Sequence, residues 1–241
     1  MISGGVQSDC NECMRNYSPS YLSSLARRLF VNGPLLIRSL QRFRPFICPF
    51  DELIARVPHE SRVLDVGCGG GLFLGLLQVT RGITYGHGFD SSVEAITVAQ
   101  CMADCLERPC SSARTLFFEH RSVTDPWPDG PFDVVSIIDV MHHVQSPAQR
   151  RLLELAIRRV KPGGLLLYKD MVRRPLWRAT ANRLHDLLIA RERIHYVPIA
   201  EIERWATDAG LEMVETVTIN RLWYGHELSV FKRPHSKTQS S

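Results

Sequence analysis

Hydrophobic and polar positions follow two rhythms along this chain. Short apolar runs read as strands: Arg62 to Val66, Ile83 to Phe89, Thr115 to Glu119, Phe132 to Ile138 and Leu165 to Lys169. Between them, apolar residues recur three and four apart. This spacing predicts helices over Gly71 to Val79, over Ala95, Ile96, Val98, Ala99 and Met102, and from Pro147 to Val160. Ser91-Ser92 supplies a cap for the second of these. Strand and helix alternating in this way argue for a parallel sheet covered by helices on both faces. The alternation is interrupted between Met171 and Gly210, where Leu184, Leu187 and Leu188, then Ile199, Ile202 and Trp205, keep helical spacing. Leu211 to Ile219 and Tyr224 to Lys232 end the pattern as two strands close enough to pair antiparallel. The expectation is an α/β fold with a seven-stranded, mostly parallel sheet.

Ahead of this core the pattern is different. Residues 1–18 are polar and read as a leader. Residues 19–58 read as three helices. Tyr21, Leu22, Leu25, Leu29 and Phe30 mark the first, and Leu35, Leu36, Leu40 and Phe43 lie on one side of the second. Pro45 and Pro49 should break the chain before a third helix from Phe50 to Val57. The core is expected over 59–233, with 171–210 as a helical insertion inside it, and 234–241 as a polar tail.

Composition narrows the class. At 241 residues and 44% hydrophobic content, one domain can bury a substantial core. No apolar run approaches the roughly 18–20 residues needed to cross a bilayer, and the first twenty residues lack the basic head and apolar core of a secretory signal. A cytoplasmic setting, with the seven cysteines reduced, is therefore expected. Cys10-x-x-Cys13 has no second pair, and a structural zinc site needs four ligands, so no metal is expected. The net charge of +4 is unevenly placed. Residues 21–56 hold six arginines against Asp51 and Glu52, and residues 171–194 hold six against Asp186 and Glu192. Such segments suit an anionic acceptor, an acidic carrier protein or peripheral contact with a lipid surface, or else form solvated helix faces.

The most informative stretch is Val63-Leu-Asp-Val-Gly-Cys-Gly-Gly-Gly71, a strand running into a glycine turn and then a helix. A dinucleotide fingerprint on Gly67 and Gly69 would want a third small residue at 72, where Leu72 stands. With Asp65 two residues ahead, Gly67, Gly69 and Gly71 resemble motif I of class I S-adenosylmethionine-dependent methyltransferases instead. Asp90 follows Gly67 by 23 positions, at a strand end where a carboxylate can take both ribose hydroxyls. Asp125 in Ser122-Val-Thr-Asp125 stands where this family places an acid for the adenine amino group. Asp129 to Val135 and Lys161-Pro-Gly-Gly164 resemble two later motifs, the last read as a turn. The resemblance covers roughly 60–232 and implies a Rossmann-like fold, S-adenosylmethionine as donor and S-adenosylhomocysteine as product. The cofactor contacts it implies are Asp65, Gly67, Cys68, Gly69 and Gly71, then Asp90, Ser91, Thr124, Asp125, Asp139 and His142. Cys68 also reads as a small filler of the turn.

Methyl transfer needs a base when the acceptor is a weakly acidic hydroxyl or a carbon. His142 and His143, just past the fourth strand, stand at the carboxyl edge where open α/β sheets bind ligands, with His142 favoured. Either histidine also fits a packing role beside the cofactor. On the acceptor side the candidates are Tyr17 and Tyr21 from the N-terminal helices, and His195 and Tyr196 from the insertion. Tyr168, Lys169, Asp170, Arg173, Arg174, Trp177 and His185 form a wider group there. His226 reads as structural. The resemblance favours a small-molecule methyltransferase, like those of quinone and natural-product biosynthesis. A nucleic-acid methyltransferase fits less well, because Asp139-Val-Met-His replaces the Asn/Asp-Pro-Pro-Tyr/Phe element of amino-methylating enzymes. A non-catalytic scaffold of the same fold and an NAD(P) oxidoreductase are the remaining alternatives.

Overall fold

The computed structural model describes residues 17–107, 115–171, 195–222 and 224–235. Three helices come first: α1 (Pro19–Leu29), α2 (Leu35–Ile47) and α3 (Phe50–Ala55). There follow β1 (Arg62–Val66), α4 (Leu72–Arg81), β2 (Tyr85–Asp90), α5 (Val93–Glu107), β3 (Leu116–His120) and β4 (Phe132–Ile138). A single 3₁₀ turn at Met141–His143 leads to α6 (Ser146–Arg159) and β5 (Val160–Met171). The described chain ends with α7 (Ile199–Asp208), β6 (Glu212–Arg221) and β7 (Tyr224–Lys232). Leu184, Leu187 and Leu188, Cys10 and Cys13 lie outside the described residues.

The strands form one seven-stranded sheet in the order β3-β2-β1-β4-β5-β7-β6. The first five run parallel to one another, and β7 runs antiparallel to both β5 and β6. This is the expected mostly parallel sheet with its antiparallel end. Because β1 and β4 are neighbours while the chain leaves them toward opposite edges, a crevice opens above their carboxyl ends.

Side-chain alternation along the strands feeds two apolar layers. Val63 and Val134 pack on one face with Leu22, Leu25, Leu53, Phe73 and Met102. Leu64 and Val135 pack on the other with Leu152, Leu153, Ile202 and Phe231. The first layer contains residues of α1, α3, α4 and α5 together, so no break in the core marks the expected boundary near residue 58. Two ion pairs, Arg56 with Glu215 and Arg221 with Asp51, tie α3 to β6.

Two local expectations are corrected. Pro45 does not end its helix: α2 continues to Ile47, because a proline in the last turn forfeits one bond while Cys48 N–H still donates to the Arg44 carbonyl at 2.8 Å. The apolar side of α2 is the open one. Leu35, Leu36, Leu40 and Phe43 are exposed, and Gln41 and Pro45 are buried instead. Lys161-Pro-Gly-Gly164 is not a turn ahead of β5 but an irregular first stretch of it. The ladder shifts register between Phe132 and Val134, and Gly163 N–H donates to the Arg233 carbonyl at 2.8 Å.

Sheet packing is tight at Gly88 on β2. A methyl group there would lie 2.8 Å from Cys68 Sγ and 2.9 Å from the Phe118 ring. Gly88→Ala is expected to cost about 1–3 kcal/mol of unfolding free energy through overpacking, read as a lower urea midpoint at unchanged slope.

Candidate functional site

A cavity of about 970 Å³ fills the crevice above β1 and β4. Its wall is assembled from strand ends. Gly67 and Gly69 come from the β1–α4 turn, Phe89 and Asp90 from the end of β2 with Ser91 and Ser92 just beyond it, Arg121 to Thr124 from the segment after β3, and Ile138 from the end of β4 with Asp139 and Val140 after it. His143, Val144, Gln145 and Ala148 close the far side, and Arg44 of α2 closes the near side.

The glycine turn can only be glycine. Gly67 has φ +66°, and a side chain there would meet Val140 Cγ2 at 2.4 Å. Gly71 has φ +76° as the residue before α4, with Phe118 and Ala99 at 2.8–3.0 Å from where a Cβ would stand. The main chain therefore passes within reach of anything held in the cavity. Gly71 itself, Asp65 and Cys68 lie behind the wall rather than in it. Cys68 is buried against Gly88, and burial pushes its thiol well up, which suits a filler and not a nucleophile.

Asp90 is fixed by the turn it serves. Its Oδ2 accepts from Gly69 N–H at 2.8 Å and its Oδ1 from Ser92 N–H at 2.9 Å. A carboxylate has about four acceptor sites, so each oxygen keeps capacity for a ligand. Asp125 is used differently. Its Oδ2 accepts from Ser122 N–H at 2.7 Å, shaping the turn, while Ser122, Val123 and Thr124 line the cavity and Asp125 does not. Asp65 is buried and takes the Ser136 hydroxyl at 2.6 Å. Burial pushes its carboxyl up to about 7, against the opposing pull of that hydrogen bond and of Arg44.

A smaller cavity of about 200 Å³ adjoins the first and shares Arg44, Asp139 and His143 with it. Its other lining residues are Ile47, Cys48, His142, Met171, Tyr224 and His226. Asp139 stands between the two cavities with φ +57°, its N–H donating to the Lys169 carbonyl at 2.9 Å. Lys169, wholly buried on β5, donates to both Asp139 oxygens at 2.6 Å. Burial opposes both charges, but their mutual attraction prevails. The Asp139 carboxyl is held at about 2, helped by His226 and His142, and the Lys169 ammonium is held above its ordinary value.

His142 is 2% exposed, and its Nδ1 lies 2.5 Å from Asp170 Oδ1. Asp170 Oδ2 also accepts the His142 backbone N–H at 3.2 Å. The ring sits 4.0 Å from that of exposed His143, centre to centre, and 6.3 Å from that of Tyr196, nearly parallel to it. His195 holds the 3₁₀ turn through its backbone, donating to the His142 carbonyl at 2.8 Å and accepting from Gln149 Nε2 at 2.8 Å. Neither His195 nor Tyr196 lines either of these two cavities. Tyr17 and Tyr21 lie farther off. The Tyr17 hydroxyl donates to the Thr80 carbonyl at the end of α4, and Tyr21 points to solvent.

Sequence reasoning missed Arg44, Gln41 and the β7 contribution. Arg44 and Gln41 were hidden in an arginine-rich helix whose leucines drew attention to the opposite face. Gln41 Nε2 lies 2.6 Å from where a Gly70 Cβ would stand, so α2 seats directly on the glycine turn. His226 was read as structural because it sits on the last strand. In the sheet it pairs with Met171 of β5, which brings it beside the cavity. Neither of its ring nitrogens makes a hydrogen bond to a described residue, although the Ile47 carbonyl is near enough to be felt. Burial first, then the Lys169 charge, hold its imidazole down to about 3, so it is neutral. Among the described residues no cluster of three or more His, Cys, Asp or Glu could hold a metal ion.

Fold and crevice together define a class I methyltransferase architecture. A methyltransferase-domain family model matches residues 36–216, and the chain belongs to that family of S-adenosylmethionine-dependent enzymes. The ubiquinone biosynthesis O-methyltransferase of Alkalilimnicola ehrlichii is 30% identical over 183 residues, covering 70% of this chain and 68% of that one. The enzyme of the same name from Neisseria meningitidis serogroup A is 28% identical over 169 residues, and the match spans 66% of its length and 65% of this chain. Among solved structures, magnesium protoporphyrin IX methyltransferase from Synechocystis PCC 6803 with bound SAH superposes with a TM-score of 0.62. It is 18% identical and covers 93% of this chain and all of that one, a likeness of fold.

The Asp65 carboxyl gives this site a pH signature. Its folded pKa lies above the unfolded value, so its contribution to stability is complete below about 4 and is lost as pH rises toward about 7. Asp65→Asn is expected to remove that loss. The difference in unfolding free energy between variant and wild type should move in the variant's favour from pH 4 to pH 8, measured by urea titration at each pH.

Proposed function

We propose that the chain transfers the methyl group of S-adenosylmethionine to a hydroxyl of a small aromatic acceptor seated in the smaller cavity. One observation carries the reading: the two cavities meet at Asp139 and His143, and His142, paired with buried Asp170, lines the second. The larger cavity suits the donor. Asp90 supports ribose recognition with its remaining acceptor capacity, Phe89, Val123, Val144 and Ala148 offer an apolar slot for an adenine ring, and Arg44 beside Gly69 suits a carboxylate. When bound, this donor supplies an electrophilic methyl on a sulfonium, which leaves as a neutral thioether once oxygen takes the methyl.

The protein's part is to position the nucleophile, manage its proton and exclude water. Asp170 accepts the Nδ1 hydrogen of His142, which leaves the neutral ring's lone pair on Nε2 and favours the imidazolium once a hydroxyl proton has arrived. His226, neutral and buried, offers a hydrogen-bonding nitrogen to a second polar group of the acceptor. Oxygen as the methylated atom agrees with the names of the Alkalilimnicola and Neisseria relatives. The exposed arginines of α1 and α2 favour an acceptor delivered from an anionic partner on that side.

Two measurements test this. Calorimetric titration with S-adenosylhomocysteine should give micromolar binding that weakens about tenfold or more in Asp90→Ala, with no binding of NADH. NADH binding without S-adenosylhomocysteine binding would overturn the donor assignment. With a phenolic acceptor identified by screening, His142→Ala should lower kcat by about 10²–10⁴-fold while leaving S-adenosylhomocysteine affinity within a factor of about two. Asp170→Asn should lower kcat less and shift its pH profile. A His142→Ala variant with wild-type kcat would move the base elsewhere, His143 being the next residue to test because it lines both cavities.

A further inference from the structure

The second helix has two faces with different fates. Its inner face, Gln41, Pro45 and Cys48, is buried against the glycine turn and the smaller cavity. Its outer face is apolar and open: Leu35 and Leu36 are 76% and 72% exposed, Leu40 and Phe43 46% each. Val31 in the preceding turn and Tyr21 on α1 are exposed as well. Six of the eleven exposed large hydrophobics among the described residues thus fall between positions 21 and 43, while the others are scattered. A patch of this kind marks an interaction surface.

Three features say what covers it. First, the stretch from Tyr17 to Phe50 contains five arginines and no acidic residue, and Arg27, Arg28 and Arg42 are exposed. Second, the flanking charge is of one sign, so a symmetric contact between two copies would oppose arginines to arginines. Third, Leu36, Leu40, Phe43 and Ile47 lie on successive turns of one stripe, and Ile47 is part of the wall of the smaller cavity. An apolar track therefore runs from the open surface to the cavity. Apolar residues along one line, with arginines beside them, are the chemistry of a helix lying in a membrane interface.

We infer that α2 docks on an anionic lipid bilayer, its leucine face in the boundary between headgroups and acyl chains. This places the mouth of the smaller cavity at the surface, where an amphipathic acceptor would enter along the stripe. Acceptor entry rests on the function proposed above; docking does not.

The test is co-sedimentation of the full chain with phosphatidylcholine vesicles, with and without about one-third phosphatidylglycerol. The expected result is binding to the anionic vesicles at least about tenfold stronger than to neutral ones, weakening as salt rises. The double variant Leu36→Asp with Leu40→Asp should lose about tenfold or more of that binding while keeping wild-type affinity for S-adenosylhomocysteine, which shows that it is folded. No preference for anionic vesicles, or a double variant that sediments like wild type, would overturn the inference. So would a wild-type dimer that this variant dissociates, since the patch would then belong to a second copy. Vesicle binding without S-adenosylhomocysteine binding would leave the docking and remove the methyltransferase reading.

Discussion

The ion pair between Lys169 and Asp139 holds the floor of the site. A lysine with no exposed surface needs a partner, because an unpaired buried charge costs several kcal/mol. Asp139 supplies one with both oxygens, and its left-handed backbone is stabilised by the bond from its N–H to the Lys169 carbonyl. The pair crosses from the end of β4 to β5, so it fixes how the chain leaves β4 at the switch point of the sheet. Everything that follows takes its position from there: Val140 against Gly67, the 3₁₀ turn carrying His142 and His143, and Asp170 next to Lys169 on the strand. Asp139 is spent on this pair, so it serves as a partition between two cavities with its charge already compensated.

The N-terminal helices depend on the same floor from above. Arg44 reaches both cavities, and Gln41 lies against the glycine turn. A helix that covers a binding site must expose its other side, and here that side is leucine-rich instead of polar. The packing of α1 and α3 into the common core supplies the stability that lets α2 keep such a face. Coverage of the larger cavity and exposure of an apolar stripe are thus two sides of one helix.

Much of the sheet was legible because β1, β4 and the glycine turn obey strong local rules: apolar runs of strand length, glycines where φ is positive, and an acid at a strand end. Helix boundaries came close for the same reason. What could not be read was tertiary. Nothing in the pattern of α2 says which of its two faces is buried, since leucines usually face inward and here Gln41 and Pro45 do. Asp125 fits its motif, yet the Ser122 N–H holds its carboxylate outside the cavity wall. Lys161-Pro-Gly-Gly164 has the composition of a turn, and only pairing with the chain after β7 shows that it belongs to the sheet. His226 acquired its place from a strand register, which no single-sequence pattern encodes.

Charge in the acceptor region argues for separating attraction from recognition. The arginine-rich segments suggest an anionic acceptor, but the charges near the smaller cavity are largely compensated. Lys169 is neutralised by Asp139, His226 is held neutral, and Asp170 is committed to His142. Arg44 lines both cavities with Asp139 and His143, and its place beside the glycine turn would suit the donor's carboxylate on the proposed function. The exposed arginines on α1 and α2 lie outside the cavities, where they can raise the local concentration of anionic surfaces without contacting the reacting atoms. Salt would then act on encounter and apparent KM, and much less on kcat, because screening weakens exposed charges far more than buried pairs. On the proposed function, a cavity lined by imidazoles, a tyrosine and a methionine would select instead by ring shape and by the placement of hydroxyl groups, so what draws the acceptor to this protein and what fits it to the site would be different sets of residues.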